Sequence, residues 1–149
     1  MKKIIALLII ALFVLGCIQE NADVKGELGL PFPLKINQTA LISPEKLMLK
    51  LADVPQDSRC PSDVVCVWAG EATITLEAVK GVQLKTFNLT VGAGSQNDSA
   101  DFAGYTITVV GLEPYPKASN PTKKSDYVAT IQVVKALNDS QISKEPQTN

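Results

Sequence analysis

Glu71-Ala-Thr-Ile-Thr-Leu-Glu-Ala78 alternates apolar and polar residues without a break, placing Ala72, Ile74, Leu76 and Ala78 on one side and Glu71, Thr73, Thr75 and Glu77 on the other. A repeat of two describes a half-buried strand and does not fit a helix. Lys80-Gly81 reads as a two-residue turn, with Gly81 free to take positive φ, so the next segment folds back as a hairpin. In that segment Val82 and Leu84 share one parity whereas Phe87, Leu89 and Val91 share the other. The slip near Lys85-Thr86 predicts a β-bulge or a change of sheet.

Working outward, Leu47, Leu49 and Leu51 alternate with Met48, Lys50 and Ala52, and Pro55 is expected to end that strand. Gly92 to Ala103 is rich in Gly, Ser, Asn and Asp and reads as a loop. Tyr105, Ile107 and Val109 resume the alternation, and Glu113-Pro-Tyr-Pro116 then predicts an extended, polyproline-like crossover between sheets. From Tyr127 to Val134 one face is Tyr127, Ala129, Ile131 and Val133; because Val128 and Val134 make the other face partly apolar, this strand belongs inside a sheet. With short strands at Leu34–Ile36 and Thr39–Ile42, the count reaches seven or eight. The predicted fold is all-β: a single antiparallel β-sandwich of immunoglobulin-like size over residues 31–137, with a closed barrel as the alternative.

The ends of the chain differ in character. Lys2 and Lys3 precede an apolar run from Ile4 to Leu15, which as a helix would rise about 18 Å, short of the roughly 30 Å hydrocarbon core of a bilayer. The run reads as an export signal helix over residues 1–16. It closes in Val14-Leu15-Gly16-Cys17, which resembles the lipobox of prokaryotic lipoproteins, although Leu15 is bulkier than usual there. That resemblance implies lipid on Cys17 as the first mature residue, and hence a membrane partner at the outer face of the cell membrane or envelope. Residues 17–30 read as a flexible tether and 138–149 as a disordered tail.

With Cys17 assigned to lipid, Cys60 and Cys66 remain, and an even pair in an exported protein is most simply a disulfide. Their spacing is longer than a CxxC redox pair, and two thiolates without histidine leave a zinc shell half empty. The chain contains no histidine, which excludes Ser-His-Asp, Cys-His and HExxH enzymes. Its formal charge of −1 gives no basic footprint for nucleic acid. The acids Asp53, Asp57, Asp63, Glu71 and Glu113 show no spacing that pairs two of them on one substrate, so no catalytic residue, metal or cofactor is assigned. A carboxylate enzyme is the remotest alternative. Asp57, Asp63 and the Asn97–Asp101 loop lack the regular spacing of a calcium loop and read as polar turns.

Asp57-Ser-Arg59-Cys60-Pro61 and Cys66-Val-Trp68-Ala-Gly70 hold the chain's only arginine and only tryptophan beside both remaining cysteines. The pattern resembles the DSRCP…CxWAG signature of an uncharacterised family of exported bacterial and archaeal lipoproteins, along most of residues 31–135. The resemblance implies membership and export but no activity. Physically, Arg59 has five donors with which to tie Asp57, Asp63 or backbone carbonyls into a cap, Trp68 is expected to cover the disulfide, and Gly70 to allow a close approach before the next strand. The sharper alternative is that Arg59 and nearby acids present this loop to a ligand or extracellular protein. One such partner would be a protease, inhibited by an extended Arg59–Cys66 loop. Tyr115, in the proline-rich segment, is a candidate contact for a peptide or glycan. The expected role is a membrane-anchored binding or structural module.

Overall fold

Ala72, Ile74, Leu76 and Ala78 are all fully buried, beside Leu49 and Leu51 and in one continuous core with Ile107, Ile131 and Val133. The computed structural model describes residues 23–136; the expected signal at 1–16, Cys17 and the tail from 138 lie outside the described residues. Nine strands follow in order: β1 (Val24–Gly26), β2 (Phe32–Lys35), β3 (Thr39–Ile42), β4 (Leu47–Asp57), β5 (Glu71–Lys80), β6 (Gln83–Gly92), β7 (Ser99–Phe102), β8 (Tyr105–Glu113) and β9 (Val128–Lys135). A single 3₁₀ turn at Lys124–Asp126 precedes β9. A five-stranded sheet, β1-β3-β4-β5-β6, packs on a four-stranded sheet, β2-β9-β8-β7. Every pairing is antiparallel except β1 with β3. The fold is the expected all-β sandwich, with β9 inside its sheet.

Several local expectations are corrected. Val24–Gly26, placed in the tether, is a strand on β3, held by the Asp23 carboxylate accepting from the Thr39 amide at 3.1 Å. Ser99–Phe102, read as loop, is β7, with Phe102 packed edge-on against Phe87 at 6.1 Å between ring centroids. Pro55 does not end β4: β3 pairs with Leu47–Lys50 and the Asn37-Gln38 turn bonds Leu51, so no strand covers the outer edge of β4 beyond Leu51, and Pro55 sits in a register shift opposite β5. The hairpin turn is Gly81-Val82, one residue later than expected, and β5 and β6 pair without a bulge. Val82 and Leu84 are simply exposed on the tip and outer face. A shift does occur at Val109/Gly111 in β8. Glu113–Pro116 is not a polyproline crossover: the Glu113–Pro114 peptide is cis, and the segment links β8 to β9 within one sheet.

Strand directions sort the connections into two ends. Since β4 and β5 are antiparallel, the connection 58–70 lies at one end, beside 93–98 and 114–127. The turns 43–46, 81–82 and 103–104 and the end of β9 lie at the other. At that second end Tyr105 donates a hydrogen bond to Glu45, and Lys80 Nζ donates to Tyr105 at 2.9 Å. Since β1 runs parallel to β3, the chain comes into β1 from the end that carries 58–70.

Candidate functional site

Asp57 closes β4 and Glu71 opens β5, and the two legs between them stay paired. The Ser58 amide donates to Glu71 O at 2.9 Å, and the Cys60 amide to Ala69 O at 2.8 Å. Gly70 makes this approach feasible: its φ is +66°, and a Cβ there would stand 1.9 Å from Ser58 O. Above the paired legs Cys60 and Cys66 form the expected disulfide, with Cα atoms 5.9 Å apart.

Below them Arg59 turns inward and is 6% exposed. Its Nε donates to Asp57 Oδ1 at 2.9 Å and its Nη2 to Asp57 Oδ2 at 2.7 Å, a two-point pair. Nη1 donates to Leu112 O at 2.5 Å and Nη2 also to Pro114 O at 3.1 Å, so one side chain ties the β4–β5 loop to the end of β8. Tyr127 donates to Asp57 Oδ2 at 3.0 Å, and the guanidinium lies over the Tyr115 ring, 4.8 Å from its centroid. Burial alone would raise the Asp57 carboxyl, but the hydrogen bonds from Arg59 and Tyr127 outweigh it and the net direction is downward.

Asp63 is not an Arg59 partner. Its carboxylate accepts from the Ser119 amide at 2.9 Å and the Ala118 amide at 2.7 Å, and these donors hold it down at about 2. With the Ser62 amide on Pro116 O at 3.0 Å, they join the connections 58–70 and 114–127. A carboxyl depressed on folding stabilises above its unfolded range, about 3.9, and loses that contribution as pH falls through its folded value. Asp57 acts with the same sign. The melting temperature is therefore expected to drop between about pH 4 and pH 2, and Asp63→Asn to flatten part of that limb in a pH series of thermal melts. An unchanged limb in the variant would show that Asp63 contributes nothing there.

Arg59 is placed as the clasp reading expects, and its own side chain is buried rather than offered at the surface. Residues 62–63 form a turn, so the stretch from Arg59 to Cys66 is not extended throughout. Trp68 does not cover the disulfide: it is 82% exposed, and beside it Val65 and Val67 are 101% and 90% exposed. Val64 is exposed as well, and Tyr115 is partly so. Val64-Val-Cys-Val-Trp68, five apolar residues in a row with no alternation, is the signal the sequence reading passed over. A cleft of about 220 Å³ opens beside the clasp, lined by Arg59, Gly70, Val91, Leu112 and Tyr115. Among the described residues no three acidic or cysteine side chains gather as a metal cluster.

The disulfide closes a short loop, six residues in separation, so removing it as Cys60→Ser/Cys66→Ser is expected to cost only about 2 kcal/mol. Thermal melts of the oxidised protein and the double variant measure this, and a thiol count should find neither cysteine free before reduction. Scanning against protein-family models and searching the curated proteins and the solved structures found no match to this chain.

Proposed function

We propose that the chain is an exported lipoprotein, a member of the family its DSRCP…CxWAG stretch resembles, held at the outer face of the cell membrane or envelope through lipid on Cys17. Its sandwich acts as an extracytoplasmic binding module whose recognition element is the loop between β4 and β5. One observation carries the binding role. The base of the loop is fastened by a disulfide and a buried arginine pair, while Val64, Val65, Val67 and Trp68 stand in water. Adjacent exposed apolar side chains raise the free energy of an isolated domain and mark surfaces that meet something else. The disulfide supports the compartment, since such bonds persist outside the reducing cytosol.

No reaction is assigned. Mass spectrometry of the protein recovered from its host membranes tests the anchoring: the expected product begins at Cys17, carries acyl chains and needs detergent for release. A full-length chain with unmodified Cys17, recovered in the soluble interior of the cell, would overturn the reading.

A further inference from the structure

We propose that the loop Val64–Trp68 inserts into the surface of the bilayer that anchors the chain, so that the domain is held at two points; this rests on the lipid-anchored reading of Cys17. The argument is one of length and direction. The Asp23 amide donates to Thr39 O at 2.8 Å, and Thr39 pairs with Lys50, which pairs in turn with Glu77. Asp23 thus stands level with Glu77, whereas the loop rises from Asp57, level with Ala72. Five residues of β5 separate the two levels, a rise of about 17 Å. The chain comes into β1 from the loop's side, so Asp23 opens the strand toward the end that carries the loop. Cys17 precedes Asp23 by six peptide units, which span at most about 22 Å when fully extended. A lipid on Cys17 therefore draws this end of the sandwich to the membrane with almost no slack, and the loop tip reaches the surface.

The chemistry of the tip suits that position. Three valines and a tryptophan form its outer side, and an indole ring favours the boundary between headgroups and acyl chains. Lys117 and Lys123 are exposed on the connection at the same end of the sandwich and suit anionic headgroups. The clasp below keeps the tip from folding back onto the domain.

Trp68 is the chain's only tryptophan, so its fluorescence reports on the loop alone. The acylated full chain is reconstituted into vesicles of phosphatidylcholine and phosphatidylglycerol, with and without lipids brominated on their acyl chains. Expected are emission at shorter wavelength than in detergent-free buffer, quenching by the brominated lipid, and shielding from acrylamide. Val65→Asp/Val67→Asp, at two fully solvated positions, should lose most of the quenching at an unchanged melting temperature. If wild-type Trp68 keeps water-like emission and full acrylamide access while mass spectrometry finds the lipid on Cys17, insertion is wrong and the anchored reading stands. Absence of lipid on Cys17 in the native protein overturns both.

Discussion

Arg59→Ala is expected to lower the melting temperature by roughly 10–20 °C. The substitution removes both guanidinium hydrogen bonds to Asp57 and those to Leu112 O and Pro114 O, leaving the Asp57 carboxylate with only the Tyr127 hydroxyl and the backbone amide of residue 59 in an enclosed site. The paired side chains are 4% and 7% exposed, so solvent does little to replace the lost partner. Breaking one half of a buried pair costs about 3–5 kcal/mol, and about 3–5 °C per kcal/mol applies to a domain of this size. The variant's pH dependence carries a second signature. Without the Arg59 side chain the Asp57 carboxyl is held down less than in the wild type, so the deficit is present at neutral pH and shrinks as acid protonates it. Arg59→Lys should recover only part of the loss, because an ammonium cannot make the two-point contact. Differential scanning calorimetry at neutral and mildly acidic pH measures all three effects, and a shift under about 3 °C for the alanine variant would mean that the clasp is not holding the two sheets.

Gly70→Ala is the second large loss, at about 3 kcal/mol or more. The new methyl would meet Ser58 O at 1.9 Å, Ser58 C at 2.7 Å and Arg59 Cα at 3.1 Å, all backbone atoms with no rotamer to change. Relief requires prising the two legs apart at Ser58–Glu71 and Cys60–Ala69, which also drags Arg59 from its carbonyls. Gly81→Ala is the control. Its φ of +61° is equally left-handed, but nothing lies within 4 Å of the new atom, so only the conformational term of about 1 kcal/mol applies. Equal melting temperatures for the two variants would show that the contact with Ser58 is not limiting.

The sandwich was legible wherever burial is one-sided, because alternation is then written directly into the chain: β5 and β9 fall as read. What escaped depends on partners distant in sequence. β1 is three residues long and exists because β3 offers its edge, and β7 has only Phe102 buried to mark it. The exposed Val82 and Leu84 mimicked a change of phase although the hairpin register is unbroken. At the candidate site Arg59 with Asp57 was readable from local sequence, since five donors beside a carboxylate seek each other. Tyr127 and the carbonyls of Leu112 and Pro114, more than fifty residues away, were not. Trp68 was read as packing because buried tryptophans often cover disulfides; the loop instead turns it outward.

The placement of β1 and β9 also sets how the domain bears load. The polypeptide comes into β1 from one end of the sandwich and leaves β9 at the other. Tension between these points runs along the strands. It shears the β1–β3, β2–β9 and β8–β9 ladders, straining several hydrogen bonds together where peeling would break them singly. Pulled from outside while one end is fixed, such a domain resists as a tie.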